Sequence, residues 1–320
     1  MAITDGEKKF WENYAAWKKN PRAFYLSKDL LLVDWKSKKY RGKDRWNDKL
    51  SPSQWQALKT ALIDNKKIQK KTTLLALRKR GLLEESGELT TYGRLLAIKE
   101  LPLEQQCIEL NIPLEEWHMP WRGEPEKYVR SVLSDRGAEA FCLENTFGHF
   151  IDYMMGKATL STAEKLDKKV FTLNLLYDLE VFFWVKRELD NHLSIIDIDH
   201  CLSIFPQCSP FLTPLLEEYS ENYVLLLFDS IFRSLGVEKV KKIILKYFDN
   251  PLAYNFRGWP DLFVIENQLS CFVEVKTTDR LHINQLVTIP DLIQANGIPI
   301  KIVRLHNSRK YYPSPTQADY

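Results

Sequence analysis

One segment near the C-terminus constrains the fold of this chain more than any other. Its sequence is RGWPDLFVIENQLSCFVEVK, residues 257–276. The stretches DLFVIE (261–266) and SCFVEVKT (270–277) are rich in β-branched and aromatic residues and flank a short polar turn, which predicts a β-hairpin. LHINQLVTIPDLIQAN (281–296) has near-helical apolar spacing, with a kink expected at Pro290 and an end at Gly297, and IPIKIVRL (298–305) is typical of a strand. The order strand, strand, helix, strand predicts an α/β fold.

Three charged residues interrupt this apolar hairpin: Asp261, Glu274 and Lys276. Because side chains alternate between the faces of a strand, Glu274 and Lys276 project from one face, while Val273 and Val275 project from the other. A buried carboxylate is unfavourable unless a partner or a cation offsets its charge. A structural salt bridge among the three charged residues is the alternative explanation of the same pattern.

The hairpin charges have the chemistry that phosphodiester hydrolysis needs. Asp261 and Glu274 are hard oxygen ligands for one or two Mg²⁺ or Mn²⁺ ions, and the carbonyl of Val275 is a further candidate ligand. A bound metal lowers the pKa of water and polarises phosphoryl oxygens. Lys276 is then placed to orient the water or to stabilise the new negative charge.

Charge is distributed unevenly along the chain. Residues 1–99 hold 23 Lys and Arg against 11 Asp and Glu, a balance of +12, while residues 100–320 have a balance of −9. A basic front half favours a polyanionic partner such as DNA. The acidic back half needs a local cation or basic patch to approach the same partner.

Bulk composition excludes several classes of protein. No run of eighteen apolar residues is present, so neither a membrane span nor a membrane partner is expected, and the first twenty residues contain no signal-peptide core. The five cysteines form no CxxC pair, which argues against a disulfide framework or a structural zinc site. The sequence therefore predicts a cytoplasmic protein of about two domains.

A basic and aromatic stretch lies near the N-terminus. The sequence WKSKKYRGKDRW, residues 35–46, interleaves basic side chains with aromatic rings that can stack on bases. A solvated basic loop whose aromatic residues turn inward explains the stretch equally well. The candidate DNA-binding residues here are Lys36, Lys38, Lys39 and Arg41.

A small helical module follows. Ser51 and Pro52 predict the start of a helix over residues 51–65, and residues 70–100 predict a helix, a turn at Gly81, a short strand and a second helix. The pattern is similar to part of a winged-helix or SAP-like DNA-binding module. Its basic residues either meet phosphate or only favour the helix dipole. Those residues are Arg78, Lys79 and Arg80.

The middle of the chain predicts a linker followed by helices. Residues 101–130 contain four prolines and predict a loop-rich boundary, whereas residues 137–155 predict a helix. Glu144 lies three residues from both Phe141 and Phe147, so it shares their apolar face and needs a partner or a cation. Further helices are predicted over residues 163–190 and 214–248.

The hairpin region resembles a known nuclease family. Pro260-Asp261 and Glu274-x-Lys276 match the PD-(D/E)xK signature, and the longer sequence RGWPDLFVI…FVEVKTTDRLHINQ resembles the VRR-NUC family, which includes the Fanconi-associated nuclease and bacterial relatives. The resemblance implies a restriction-endonuclease-like core, metal ligation by Asp261 and Glu274, and catalysis by Lys276. It also implies a helix glutamine that helps shape the site, matched here by Gln285.

The family also uses an earlier helical glutamate near its metals. Glu144 is the first choice for this role and Glu139 the second, because the flanking residues depart from the family's usual pattern. Arg257, which precedes the signature, is a candidate phosphate contact. The chain is too short for the helical-repeat region of the larger family members, so their substrate preference does not transfer directly.

These observations give one domain organisation and one leading function. Residues 1–110 are expected to be a basic helical DNA-binding domain, and residues 111–320 a nuclease domain with a largely helical insertion at about 156–250. The resemblance implies metal-dependent, structure-specific cutting of flapped, branched or end-containing DNA in repair or processing. Smaller family members pair up on branched DNA, which makes a homodimer one expectation.

Two rival functions remain open. The chain could be a DNase toxin of the same fold, delivered by one bacterium into another, and its producer would then need an immunity protein. It could instead be a DNA-binding scaffold that has lost catalysis, although the intact Asp261, Glu274 and Lys276 argue against that role.

Overall fold

A computed structural model describes residues 50–63, 70–143, 146–147, 150, 213–249 and 258–307. The described residues fall into two compact units. The first contains the described residues up to Glu109 together with Gly258 and Arg280–Thr288. The second contains the described parts of Leu110–Asp249, Trp259–Asp279 and residues 289–307. No described helix combines the length and apolar character needed to cross a membrane.

A five-stranded mixed sheet forms the centre of the second unit. Its strands are β1 (Leu114–Met119), β2 (Glu139–Cys142), β3 (Leu262–Glu266), β4 (Leu269–Lys276) and β5 (Ile300–Asn307). The strand order is β1-β5-β4-β3-β2, in which β1, β5 and β4 are parallel and β4, β3 and β2 are antiparallel. This mixed sheet, together with its helices, confirms the predicted α/β class.

Helices account for most of the remaining described structure. They are α1 (Pro52–Ile63), α2 (Lys71–Lys79), α3 (Thr91–Lys99), α4 (Leu103–Leu110), α5 (Pro125–Asp135), α6 (Thr213–Glu218), α7 (Glu221–Leu235), α8 (Val237–Asp249) and α9 (Ile283–Thr288). Helices α6, α7 and α8 confirm the helices predicted over residues 214–248. The helix predicted over residues 163–190 lies outside the described residues.

The predicted hairpin is β3 and β4. Asn267 and Gln268 both have left-handed backbones, with φ of 50° and 65°, as a two-residue type I′ turn requires. The turn sets the register, in which Leu262 pairs with Val273 and Glu266 with Leu269. This register determines which charged residues face one another at the far end of the hairpin.

The connection from β4 to β5 confirms the predicted interrupted helix. After α9 the chain forms a π-helical turn at Ile289–Ile293 and a 3-10 turn at Gln294–Asn296. Pro290 lies in the π-helical turn, consistent with its inability to donate a helical hydrogen bond. Gly297, at φ 63°, then ends the helical run as expected.

The two faces of the sheet bury different side chains. One face holds an apolar cluster in which α5 contributes Val129 and Leu133. The strand members of this cluster include Leu262, Val264, Val273, Val275, Val303 and Leu305. The other face carries aromatic rings, since Phe272 lies 5.3 Å from Phe263 and 5.6 Å from Phe147 between ring centroids. Val273 and Val275 therefore project away from Glu274 and Lys276, as predicted.

The first unit confirms the helical module predicted for residues 51–100. Ser51 and Gln54 cap α1 reciprocally, since Ser51 N–H donates to Gln54 Oε1 at 2.9 Å and Gln54 N–H donates to Ser51 Oγ at 3.4 Å. Gly81 follows α2 with φ 68°, and a single antiparallel bridge joins Leu83 to Leu89. The assignment to a winged-helix or SAP-like class stays a prediction.

The loop-rich linker predicted for residues 101–130 is wrong. This stretch contains α4, β1 and the start of α5. Its prolines lie at the ends of these elements rather than in a linker: Pro102 precedes α4, Pro113 precedes β1, Pro120 follows β1 and Pro125 is the first residue of α5. Proline is well suited to the first helical position and to the first residue after or before a strand, which explains the error.

The helix predicted to begin at residue 137 is wrong for its first part. Residues Glu139–Cys142 form β2, an edge strand whose Phe141 pairs with Phe263 of β3. Described helical residues appear only from Thr146 onward. A short apolar run of four residues cannot be assigned to a strand or a helix by periodicity alone.

Candidate active site

The hairpin brings Asp261 and Glu274 to the same end of the sheet. Leu262 pairs with Val273, so Asp261, one residue before β3, lies opposite Glu274 of β4. Asp261 also joins the two strands through its side chain, because its Oδ2 accepts a hydrogen bond of 2.8 Å from the Val275 N–H. The two carboxylates are thereby fixed on neighbouring segments of one rigid hairpin.

Lys276 lies between two carboxylates. Its Nζ is 2.8 Å from Glu274 Oε1 and 3.2 Å from Asp279 Oδ2. Glu274 is 1% exposed and Lys276 is 5% exposed, which makes this a buried ion pair. Asp279, with a side chain 47% exposed, connects the buried pair to the surface.

Burial and like charge act together on Asp261. They raise its pKa from an ordinary 3.8 to about 9, with desolvation as the larger cause and the Glu274 carboxylate as the second. The Val275 N–H and the Lys276 ammonium oppose this rise, while Glu126 of α5 adds to it. Without a further cation, the site therefore favours a proton on Asp261 at neutral pH.

Lys276 keeps its charge in this environment. Burial alone lowers its pKa, but Glu274, through charge and a hydrogen bond, and Asp279 reverse that effect, so the pKa is raised above its ordinary value. An ammonium that stays protonated can balance one carboxylate only. Lys276 therefore balances Glu274, and Asp261 is a further acidic group in the site.

The donor set fits a hard divalent cation. Asp261 and Glu274 offer carboxylate oxygens, and Mg²⁺ in proteins is commonly held by one or two carboxylates, with water and substrate oxygens completing its shell. Among the residues that the structure describes, no group of three or more His, Cys, Asp or Glu side chains is placed to hold a metal. Ligation by the carbonyl of Val275 stays a prediction.

The two candidates for the helical glutamate are placed differently. Glu139 is exposed and pairs with Ile265, whereas the opposite end of β2 is the end that lies beside Asp261. The structure therefore does not bring Glu139 to the site. Leu143, whose N–H donates to the Asp261 carbonyl at 2.7 Å, immediately precedes Glu144 in sequence. Glu144 itself lies outside the described residues.

Gln285 belongs to the first compact unit and has a local structural role. It is 5% exposed, and its Oε1 accepts a 3.0 Å hydrogen bond from the His282 N–H, three residues earlier. This contact caps the first turn of α9, in the manner of the returning bond of a capping box. The role of Gln285 in a catalytic site stays a prediction.

Arg78 is engaged by the turn that follows α2. Its Nε donates to the Glu84 carbonyl at 3.2 Å, and its guanidinium also contacts the carbonyl and the carboxylate of Glu85. These contacts give Arg78 a structural role that competes with phosphate binding. Lys79 is exposed and Arg80 is partly exposed. The other predicted DNA contacts lie outside the described residues: Lys36, Lys38, Lys39, Arg41 and Arg257.

Sequence reasoning missed two acidic residues near the site. Asp279 follows β4 closely enough to bind Lys276, and its spacing of three residues from a strand-end lysine was the available signal. Glu126 lies in the first turn of α5, and its charge raises the pKa of Asp261. It was missed because its helix was taken for part of a linker.

Comparisons with known proteins give a fold likeness only. No protein-family model matches the chain, and no curated protein matches it. Two crystal structures of paFAN1 bound to 5′-flap DNA with a gap are similar to it at 14% identity. The complex with a two-nucleotide flap has a TM-score of 0.49 and that with a one-nucleotide flap 0.48, each covering 79% of this chain. The chain spans about half the length of those structures, 48% and 49%.

Proposed function

We propose that the chain is a metal-dependent DNA nuclease with a restriction-endonuclease-like core of the PD-(D/E)xK type. The observation that supports this most is the arrangement of Asp261, Glu274 and Lys276. The buried Glu274 carboxylate and the half-buried Asp261 carboxylate lie opposite one another on a hairpin, and the Lys276 ammonium lies 2.8 Å from Glu274. The resemblance of the surrounding sequence to the VRR-NUC family supports the same reading.

A structural salt bridge accounts for only part of this arrangement. Glu274 and Lys276 alone would make a balanced buried pair. Asp261 adds a further acidic group, and burial and Glu274 raise its pKa to about 9. A purely structural site gains little from a carboxyl group that is unfavourable to ionise there. A site that receives a divalent cation gains a ligand, because the cation offsets the repulsion.

Asp261 and Glu274 would hold the metal, either Mg²⁺ or Mn²⁺. When bound, the metal would lower the pKa of water and polarise the phosphoryl oxygens. Whether one or two ions bind depends on further ligands, for which Glu144 and the Val275 carbonyl are the sequence candidates.

The residues of the chain divide the remaining work. Lys276 stays protonated and stabilises negative charge on the phosphate oxygens, or orients the attacking water through an N–H. Asp279 is a second carboxylate partner of the ammonium, at 3.2 Å. Water attacks phosphorus in line with the departing 3′-oxygen: the new P–O bond forms as the bond to the 3′-oxygen breaks, and the configuration at phosphorus inverts. The attacking water gives its proton to solvent, and the 3′-oxygen takes one from solvent.

Flapped, branched or end-containing DNA is the substrate class to test first. This choice rests on the sequence resemblance and on the +12 balance of residues 1–99, which would grip phosphates. A role in DNA repair or processing follows from the same resemblance, and a cytoplasmic location from the cysteine pattern. The toxin and scaffold alternatives differ from it in measurable ways.

The test is a cleavage assay with Mg²⁺ or Mn²⁺ on flapped, nicked, Holliday-junction and linear DNA. We expect cleavage by the wild type and its loss in Glu274→Ala. Glu266→Ala is the matched control, since Glu266 is an exposed carboxylate at the turn end of the same hairpin. Tight binding without cleavage of any substrate would support the scaffold. Killing on expression that Glu274→Ala abolishes would support the toxin.

A further inference from the structure

A row of polar residues continues across the sheet from Lys276. Lys276 of β4 is in register with Arg304 of β5, which is in register with Glu116 of β1. Paired residues on neighbouring strands point to the same face. Arg304 and Glu116 therefore share the face of Glu274 and Lys276, about 4.8 Å apart from strand to strand.

One carboxylate organises this row. Glu116 Oε1 lies 3.4 Å from an Arg304 guanidinium nitrogen, and Glu116 Oε2 lies 2.5 Å from His306 Nε2. The His306 ring stacks on His118, with ring centroids 4.5 Å apart and planes inclined by 7°. The guanidinium and the two imidazoles are thus held side by side at the end of the strands.

The location of the row suits a ligand. The strands β1, β5 and β4 are parallel. Lys276 is the last residue of β4, and Arg304 and Glu116 each lie three residues before the end of their strands, toward the carboxyl edge where ligands commonly bind in parallel sheets. The Glu116 and His306 side chains are 36% and 37% exposed, and the Arg304 side chain is 15% exposed. By contrast, Val303 and Leu305, the neighbours of Arg304 in sequence, are buried in the apolar cluster of the opposite face.

We propose that Arg304 binds a backbone phosphate of the DNA strand, next to the phosphate that is cleaved beside Lys276. This assignment rests on the proposed nuclease function and adds a substrate-binding residue to it. An arginine fork donates two parallel hydrogen bonds to phosphate oxygens, and Glu116 holds the fork in place before the ligand arrives. His306 and His118 extend the same surface along the strand ends.

The same two strands provide a matched control on the opposite face. Lys301 Nζ lies 2.8 Å from Glu115 Oε1, so β5 and β1 carry a second ion pair there. Lys301 is in register with Val273, which belongs to the face turned away from Lys276. Lys301→Gln changes the net charge and removes an ion pair between β5 and β1, as Arg304→Gln does, but it leaves the residues of the proposed row unchanged.

The experiment compares the wild type with Arg304→Gln, Arg304→Lys and Lys301→Gln. Binding of a labelled flapped duplex is measured in EDTA at several salt concentrations, and cleavage is measured with Mn²⁺. For Arg304→Gln we expect a Kd about tenfold higher and a salt slope smaller by about one. Arg304→Lys should keep the slope and recover part of the affinity, because it keeps the charge but loses the fork. Lys301→Gln should match the wild type.

The possible outcomes distinguish a failure of this proposal from a failure of the nuclease function on which it rests. A wild type that neither binds nor cleaves DNA overturns the nuclease assignment and this proposal with it. A wild type that binds and cleaves, alongside an Arg304→Gln whose Kd and salt slope equal those of Lys301→Gln, overturns only the role of Arg304. Thermal melting is measured first. If Arg304→Gln does not fold, Arg304→Lys decides, because an unchanged Kd for flapped DNA contradicts the arginine fork.

Discussion

Replacing Asp261 with Asn should stabilise the metal-free protein. The native state keeps a proton on Asp261 up to about pH 9, whereas the unfolded chain releases it near the ordinary pKa of 3.8. Between these values the native state binds more protons, so the stability of the metal-free wild type falls as pH rises. Asn does not titrate and can still accept the hydrogen bond of the Val275 N–H.

The size of this effect follows from the pKa shift of Asp261. Each pH unit above 3.8 and below about 9 corresponds to about 1.4 kcal/mol. Holding the proton therefore lowers the free energy of unfolding by about 2 kcal/mol at pH 5 and about 4 kcal/mol at pH 7. The advantage of Asp261→Asn over the wild type should thus grow by about 3 kcal/mol between these two pH values, which are two pH units apart.

Urea denaturation in EDTA at pH 5, 6 and 7 measures this difference, with Glu266→Gln as a control at the exposed end of the same hairpin. Adding Mn²⁺ should reverse the order, since the wild type gains stability from the ion and Asp261→Asn does not. A difference in stability between variant and wild type that stays constant with pH would show that Asp261 does not hold a proton in the native state. A variant that is less stable than the wild type at every pH would contradict the expected stabilisation.

Three further substitutions test the packing around the site and in the first unit by chemical denaturation. Lys276→Met leaves Glu274 buried without its ammonium and should lower the free energy of unfolding by about 3–5 kcal/mol; an effect below about 1 kcal/mol would contradict a buried pair. Gln106→Ala removes a fully buried amide whose shortest bonds are to the Ile98 carbonyl, to which it donates at 3.0 Å, and to the Leu281 N–H, from which it accepts at 2.8 Å; it should lower the free energy of unfolding by roughly 3 kcal/mol. Gly93→Ala places a Cβ 2.0 Å from the Leu82 carbonyl oxygen and should destabilise by more than about 2 kcal/mol; wild-type stability would contradict that close approach.

The hairpin could be predicted because several features of its sequence indicate the same strands and the same register. Alternation in β4 separates Glu274 and Lys276 from Val273 and Val275, and a two-residue turn leaves a single register that keeps this separation. The opposition of Asp261 and Glu274 follows from that register alone. Local sequence therefore determined both the strands and the carboxylate pair.

The elements around the hairpin could not be predicted in the same way. β2 is a four-residue edge strand, and its identity depends on pairing with β3, more than a hundred residues away. The helix α5 begins at Pro125, which suggested a loop although it occupies the first helical position. Gln285 matched a family pattern, but its contact with the His282 N–H depends on local capping geometry. Long-range strand pairing and helix capping determine the structure of these elements, and neither can be read from the local sequence.

Diffraction from crystals grown with Mn²⁺, recorded at the manganese absorption edge, shows whether Asp261 and Glu274 hold a metal ion. The account predicts an anomalous peak bound by carboxylate oxygens of Asp261 and Glu274, at about 2.1–2.3 Å from them. Lys276 should remain within hydrogen-bonding reach of Glu274. Crystals grown at saturating Mn²⁺ that show no anomalous peak between the two carboxylates, with Asp261 still bonded to the Val275 N–H, would contradict metal binding by this pair.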